Sequence, residues 1–387
     1  MAKEVKVGIL GYAFMGRAHS NAYNQAPIFH PDVAAVPVKQ VACGRTAEPL
    51  AAFARQFGWR HTETSWEAML KRDDVDLFDN SGPNNVHKDP VIAAAEAGKH
   101  VFCEKPLAMN LDEAREMVRA VERTGVVNMC AYNYRRVPAI GLAKRLIEEG
   151  RLGRIYHFRA TYLQDWIVDP NFPLVWRLRK EICGSGPHGD LNAHIVDVAL
   201  HLVGKITRVV GMDETFIKQR PVVAGAKGIS DRGEGGAQQM GEVTVDDTTA
   251  FLAKFENGAV GTFEATRFAT GRKNYHYWEI NGSKGSIYFN LERMNELNFL
   301  DASEPEAGFR TIMVTEAHHP HVGNWWPPGH VIGWEHTHVF QVVDLLNAIG
   351  TDDTVSPTLR EGAEVQAVLQ AVTDSIASGG WENVQSV

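Results

Sequence analysis

Lys105, Asp190 and His194 are the residues whose types and spacing most clearly suit chemistry. Lys105 lies in Glu104-Lys105-Pro106 at the end of an apolar run, and Asp190 and His194 form an Asp-x-x-x-His pair that opens a helical pattern. Residues four apart share a helix face, so the aspartate and the histidine can project into one cleft. An imidazole titrates near neutrality and suits proton transfer. A lysine supplies positive charge to an oxygen that is becoming an alkoxide. A carboxylate beside the histidine can orient and tune it. The three suit removal of a proton from an alcohol, the acid-base half of a dehydrogenase.

The other half is a dinucleotide site. Gly8-Ile9-Leu10-Gly11-Tyr12-Ala13-Phe14-Met15-Gly16 falls where an apolar strand pattern hands over to a helical one. Gly11 permits a tight turn, the small Ala13 lets backbone approach a pyrophosphate, and Gly16 allows close helix packing. The first turn of the helix, with Phe14 and Met15, offers its N–H groups to phosphate. Ala13 replaces the second glycine of the usual G-x-G-x-x-G. An Asp or Glu normally ends the second strand and binds the ribose 2′-OH of NAD, but here the chain reads Cys43-Gly44-Arg45-Thr46. Without that carboxylate a 2′-phosphate is not repelled, and a guanidinium can hold it. NADP is favoured on this basis, with NAD the alternative if Arg45 is only a solvated surface residue.

Elements that could position these groups follow from the pattern. Apolar runs at 5–10, 40–43, 75–79, 101–103 and 126–130 alternate with helical patterns at 16–25, 49–57, 91–97 and 111–124. Gly58, Gly98 and Gly125 stop three of these helices, and Asn110 caps the last. Such alternation is the signature of α/β folding, a doubly wound parallel sheet of the Rossmann type. After a helix at 140–149 the texture changes. Strand patterns at 155–163, 206–216, 248–255, 259–265, 275–280 and 286–290 follow one another, and Asn257-Gly258 makes a hairpin turn. Strands without intervening helices pair antiparallel, so this half is expected to be α+β with an open, largely antiparallel sheet. Helical patterns at 337–349 and 359–376 close the chain. The division expected is 1–135 for the dinucleotide-binding domain and 136–387 for substrate binding and oligomerisation, two domains for 387 residues. The Gly-rich stretch 222–240 reads as a mobile loop or insertion, and Asp246-Asp247 as a solvated turn.

Composition narrows the class. Hydrophobic residues make up 44% and charged residues 22%, with a net charge of −8 and no basic block, which argues against nucleic acid. No apolar stretch reaches the roughly 20 residues of a membrane span. Cys43, Cys103, Cys130 and Cys183 lie far apart and read as buried thiols, neither a metal motif nor a disulfide framework. Met1-Ala2-Lys3-Glu4 runs straight into a strand pattern, so no leader segment is expected, and a cytoplasmic enzyme fits. Six histidines, His318, His319, His321, His330, His336 and His338, crowd around Trp325-Trp326-Pro327-Pro328. Their spacing fits no single-helix ligand set, so no metal is expected, and the segment reads as a loop near the substrate mouth or a subunit contact.

Pro83-Asn84-Asn85-Val86-His87, Ala97-Gly98-Lys99-His100-Val101-Phe102-Cys103-Glu104-Lys105-Pro106 and Gly184-Ser185-Gly186-Pro187-His188-Gly189-Asp190 complete a specific set in order and spacing. Across its whole length the chain resembles the Gfo/Idh/MocA oxidoreductases. The resemblance implies that Lys105 contacts nicotinamide ribose and substrate hydroxyl, with His194 as acid/base and Asp190 bonded to the reacting region. Pro83, Asn84 and His87 match the loop lining the cofactor cleft, and Glu104 precedes the lysine there. Asn133-Tyr134-Arg135-Arg136, Gln164-Asp165-Trp166 and Trp176-Arg177 look most like members that oxidise glycosides and anhydrosugars. Stacking faces and hydrogen-bonding groups for a ring polyol would come from Asn133, Tyr134, Gln164, Asp165, Trp166, Trp176 and Arg177. Ser185 interrupts the family's glycines and His188 stands two residues before Asp190, which puts a further substrate contact at His188. The implied reaction is hydride exchange between NAD(P) and a ring secondary hydroxyl of a sugar, C3 of a glycoside or anhydrosugar, in a homo-oligomer such as a dimer or tetramer. Inositol dehydrogenase and a non-catalytic nucleotide-binding regulator are the alternatives.

Overall fold

The computed structural model describes residues 3–225, 233 and 239–387. In chain order the first elements are β1 (Lys3–Leu10), α1 (Phe14–Phe29), β2 (Ala35–Cys43), α2 (Ala47–Phe57), β3 (His61–Glu63), α3 (Trp66–Leu70), β4 (Leu77–Asn80), α4 (Lys88–Glu96), β5 (His100–Cys103), α5 (Leu111–Thr124) and β6 (Asn128–Cys130). Then come α6 (Pro138–Glu148), β7 (Ile155–Leu163), α7 (Lys180–Cys183), α8 (Ala193–Leu202), β8 (Ile206–Glu214), β9 (Gln219–Val222) and β10 (Gln239–Glu242). The last are β11 (Thr248–Phe255), β12 (Val260–Thr266), β13 (Tyr275–Gly282), β14 (Gly285–Asn290), β15 (Glu296–Asp301), β16 (Arg310–Met313), α9 (Trp334–Thr351), α10 (Leu359–Ser378) and β17 (Glu382–Asn383). Among the described residues no helix is long and apolar enough to cross a membrane.

Two compact units emerge. The first joins Met1–Arg136 with His321–Glu364 and Val387, and the second joins Val137–Pro320 with Val365–Ser386. In the first, six parallel strands run in the order β3-β2-β1-β4-β5-β6. This is the doubly wound order, in which ligands bind at the carboxyl ends of the strands where the order reverses, here between β1 and β4. Val5, Val7 and Ile9 of β1 are fully buried, as a strand covered on both faces requires. Asn110 caps α5 by accepting a hydrogen bond from the Glu113 N–H at 3.0 Å, and Gly125 ends it in the left-handed region.

The second unit carries nine strands in the order β16-β15-β14-β13-β7-β12-β11-β8-β17. Only β7 and β12 pair parallel, and every other neighbouring pair is antiparallel. One face buries Phe158, Phe263, Trp278, Ile280 and Phe289. The other exposes Met212, Leu252 and Val260. The sheet is therefore open on one side, as the alternating pattern requires.

In its elements and their grouping, the structure departs from the sequence reading as follows. The strand β3 and helix α3 are too short to leave a periodic signal, so the first sheet has six strands where the pattern shows five. Similarly, β9, β10, β15 and β16 are short strands that exist through pairing with neighbours. Part of the 222–240 stretch lies outside the described residues, and its two ends form the β9–β10 pair. The domain limits also differ, because residues 321–364 pack with the first unit and not the second. Val339, Val342, Leu345, Leu346 and Ile349 of α9 enter the same core as Val5, Val7 and Ile9. An apolar helix face needs a partner, but periodicity does not say which sheet supplies it.

The tightest part of that docking is Gly350, where a Cβ would lie 2.6 Å from the carbonyl carbon of Ala34. The Ala34 N–H also donates to Asn347 Oδ1 at 2.9 Å. Gly350→Val should lower the thermal unfolding midpoint by several degrees, in line with an overpacking cost of about 1–3 kcal/mol. Circular dichroism checks this, and an unchanged midpoint would mean that α9 is not seated against β2.

Candidate active site

The first unit gathers its functional groups at the carboxyl ends of β1, β4 and β5. Gly11, just past β1, has φ +108° and donates its N–H to the Cys43 carbonyl at 3.0 Å. A Cβ there would sit 2.7 Å from the Ser81 carbonyl oxygen, and one on Gly16 would sit 2.3 Å from the Gly11 carbonyl oxygen. Only glycine fits either position. Ala13 precedes α1 and contributes no side-chain cap, so the N–H groups of the first turn remain available to an anion. These features fit a dinucleotide pyrophosphate. Phe14 stacks on Trp334, the ring centroids 5.3 Å apart. Gly8, by contrast, is a packing position, with a Cβ there falling 2.9 Å from Met69 Sδ. The Tyr12 ring covers Gly44, while Arg45 is exposed.

Lys105 follows β5 and is half-buried, with a cis peptide to Pro106. Its backbone N–H donates to Glu104 Oε2 at 3.2 Å. The other Glu104 oxygen faces His19 Nε2 at 3.0 Å, and His19 Nδ1 lies 2.9 Å from Asp79 Oδ1. Tyr23 Oη donates to Asp79 Oδ2 at 2.9 Å. Burial by itself would lower the His19 pKa, but the Asp79 charge and the bonds to Asp79 and Glu104 more than offset it and raise it to about 10. Pro83 leads into the short helical turn Asn84–Val86. His87 is fully buried, with Nδ1 3.0 Å from the Pro106 carbonyl and Nε2 3.0 Å from the Gly82 carbonyl. It therefore ties this loop to the turn after Lys105. Asn133 and Tyr134 are buried within the first unit, and Asn133 donates its amide to Thr337 Oγ1 at 2.8 Å.

In the second unit, Asp246 organises the segment that leads to α8. This carboxylate accepts from the N–H groups of Gly186 at 2.6 Å and His188 at 2.8 Å, and from Thr249 Oγ1 at 2.8 Å. A Cβ on Gly186 would lie 1.9 Å from the Asp246 carbonyl oxygen, so the loop is pressed onto this residue. Neither acid of the pair is a solvated turn. Asp246 is buried, and Asp247, fully buried, accepts from the N–H groups of Phe216 and Ile217. The loop then forms a π-helical turn, His188–Asn192, before α8 begins. Asp190 thus lies in that turn and His194 in the first turn of α8, where the sequence pattern suggests one continuous helix. Such π turns recur at functional sites.

His188 is not free to meet substrate as expected, because Nε2 lies 2.9 Å from the Leu369 carbonyl and Nδ1 3.3 Å from Asn192 Nδ2. Arg267, almost fully buried, donates to Asp190 Oδ2 at 2.7 Å, and its guanidinium stands 5.1 Å from the Trp166 ring centroid. His194 is buried with its ring 5.8 Å from that of Tyr162. Tyr162 Oη and Gln164 Nε2 both donate to Asn274 Oδ1, at 2.7 and 3.0 Å, and Trp166 Nε1 donates to Gln164 Oε1 at 2.9 Å. Arg177 covers the Trp176 ring at 4.3 Å. Asp165 is drawn away to Lys273 Nζ at 2.8 Å.

Sequence reasoning overlooked His19, Asp79, Asn274 and Arg267, and took Asp246 for part of a solvated turn. Only Asp79 left a signal, being a charged residue inside an apolar strand run, which implies a buried partner. The histidine-rich segment divides between the units at Pro320 and His321. In the first unit His321 stacks on Phe340 at 5.0 Å and His336 packs against Trp325 at 4.4 Å. Among the described residues, no group of three or more His, Cys, Asp or Glu could hold a metal.

Residues 5–132 match the oxidoreductase family with an NAD-binding Rossmann fold, and residues 140–288 match the GFO/IDH/MocA C-terminal domain. Over 387 residues the chain is 42% identical to levoglucosan dehydrogenase from Pseudarthrobacter phenanthrenivorans, spanning 100% of this chain and 99% of the relative. A solved oxidoreductase domain protein from Kribbella flavida is 48% identical with a TM-score of 0.94, covering 100% of both chains. The solved levoglucosan dehydrogenase in complex with NADH and levoglucosan is 41% identical with a TM-score of 0.93, again over 100% of both chains. The chain belongs to the GFO/IDH/MocA oxidoreductases and carries their NAD-binding Rossmann fold.

Proposed function

We propose that this enzyme oxidises a ring secondary hydroxyl of a sugar, C3 of a glycoside or of an anhydrosugar such as levoglucosan, or reduces the matching ketone. The observation that carries the reading is the linked set Trp166–Gln164–Asn274–Tyr162 beside His194, next to an Asp190 held by Arg267. Aromatic faces interleaved with amide and hydroxyl groups suit a pyranose-sized polyol. Similarity over the full length to levoglucosan dehydrogenase supports the same substrate class.

A nicotinamide dinucleotide held at the Gly11 turn and the first turn of α1 would supply the hydride acceptor. His194 takes the hydroxyl proton, Lys105 offers positive charge to the developing alkoxide, and Asp190, itself oriented by Arg267, hydrogen-bonds the reacting region. A homo-oligomer joined through the exposed sheet face, where Met212 and Leu252 are solvent-accessible, belongs to this reading. So does a cytoplasmic setting, in keeping with Cys43, Cys103, Cys130 and Cys183 being buried as thiols.

Three measurements test it, the first two following reduced-nicotinamide absorbance with a panel containing levoglucosan, glycosides, myo-inositol and acyclic hydroxy acids. Lys105→Ala and His194→Ala should each lose about 10²–10⁴ in kcat while still binding cofactor. Near-native turnover in either variant would mean that the acid-base roles are misassigned, and a best substrate of myo-inositol would move the enzyme to the cyclitol class.

Trp166→Phe should raise KM for the preferred sugar more than it lowers kcat, because ring contacts serve ground and transition states alike. The phenyl ring keeps a face behind Arg267, so Asp190 stays in place. An unaltered KM, or activity confined to acyclic hydroxy acids, would refute the substrate class.

For the cofactor, Arg45 is exposed and no carboxylate ends β2. NADP should bind at least as tightly as NAD, and Arg45→Ala should weaken NADP selectively. Fluorescence titration that shows a clear NAD preference, unchanged in Arg45→Ala, would establish NAD as the cofactor.

A further inference from the structure

We propose that His19 is a positioning residue for Lys105, acting through Glu104. This rests on the assignment of positive charge at Lys105 to the reacting oxygen, and adds a part of the machinery that does not touch substrate. The His19 ring joins three elements. It stands on α1, whose N-terminus forms the phosphate-facing turn. Nδ1 lies 2.9 and 3.0 Å from the two oxygens of Asp79 on β4, and Nε2 lies 3.0 Å from Glu104 Oε1 beyond β5. The second Glu104 oxygen accepts from the Lys105 N–H. The Glu104 N–H donates to the Asn80 carbonyl at 2.9 Å, so backbone and side chain of this residue are both anchored.

Carboxylates only accept hydrogen bonds, so a ring with a carboxylate at each nitrogen satisfies both contacts as the imidazolium. His19 and Asp79 are fully buried and Glu104 nearly so. A lone buried carboxylate is costly, and two facing each other without a cation are costlier. The groups around the ring keep the charge in place. Phe102 stacks at 4.7 Å, Tyr23 donates to Asp79, and His338 sits 5.7 Å away. Burial, then the His19 charge, holds His338 well below the ordinary histidine range. Cys103, also buried, is held protonated by burial and by its carboxylate neighbours. His87, another neighbour of the Glu104 charge, is kept below its usual pKa chiefly by burial. With its value raised, His19 contributes stability that is fully present below the ordinary histidine range and lost as pH rises through about 10.

Replacing His19 by an uncharged residue leaves Asp79 and Glu104 to share a proton. Glu104 then loosens its hold on the Lys105 amide. A purely structural histidine would show itself in folding only. A positioning histidine shows itself in kcat, and only through Glu104.

The experiment compares the full-length wild type with His19→Gln, Glu104→Gln, the double variant and Lys105→Ala. Thermal midpoint, NADH affinity, sugar KM, kcat and the pH profile of kcat are measured for each. His19→Gln should lose about 10²-fold in kcat, the scale of a small misplacement of a reacting group. Sugar KM and NADH affinity should stay near native. The wild-type profile should fall only as pH rises through about 10, where the His19 charge is lost, and the variant's profile should fall at lower pH, because no imidazolium bridges the two carboxylates. The double variant should lose no more than the worse single, because the two residues act as one unit. Native kcat in a folded His19→Gln, additive losses, or a defect confined to KM or NADH affinity would each overturn the proposal. Should His19→Gln not fold, Glu104→Gln decides the question. A kcat loss at an unchanged midpoint supports the proposal, and native kcat overturns it. If Lys105→Ala keeps native turnover, the underlying site assignment fails. If Lys105→Ala is inactive while His19→Gln is native, only the role of His19 fails.

Discussion

Asp79 carries a carboxylate on a strand that water does not reach, and much of the first unit is arranged to satisfy it. An isolated buried charge costs several kcal/mol, so its partners must be held close and in fixed directions. His19 and Tyr23 come to it from α1, and His19 passes the demand on to Glu104. That places one constraint on α1, β4 and the turn after β5 together. These segments carry the glycine turn, the Ser81 contact and Lys105. The same electrostatic requirement that orders the core therefore also orders the cofactor-facing and lysine-bearing loops.

The second unit repeats the device with different residues. Asp246 gathers the N–H groups of Gly186 and His188, and Asp247 gathers those of Phe216 and Ile217. Arg267, buried against Trp166, fixes Asp190. At Asp246 and at Arg267 a buried charge is paired with groups on the irregular segment that bears Asp190. Loops held in this way keep a single shape without regular secondary structure. The π turn at His188–Asn192 belongs to the same logic, since an extra residue before α8 sets Asp190 off from the helix that holds His194.

Likeness to levoglucosan dehydrogenase extends over the whole chain, yet the groups proposed to meet substrate are closely entangled with structure. His188, Asn133 and Asp165 have the chemistry of sugar ligands, but each is bonded to protein partners. Gln164 and Trp166 are tied to each other and, through Asn274, to Tyr162. Preorganisation of this kind favours orientation over adaptability.

What the sequence determined by itself was the local and periodic part of this protein. Runs of apolar residues buried on both faces identify the parallel strands, and Asn110 and Gly125 bracket α5 because cap chemistry acts within a few residues. Gly11 and Gly16 announce the phosphate turn because no larger residue fits there. Lys105, Asp190 and His194 stand out by type and by motif. Only the tertiary structure decided which distant groups meet. It sent α9 to the first sheet, paired Arg267 with Asp190 and turned Asp246 inward to hold the glycine loop. It also enclosed His19 between two carboxylates that lie 60 and 85 positions away along the chain. Periodicity reports that a face or a charge must be buried, but the partner is set by packing and by the pairing of buried charges, which local sequence does not encode.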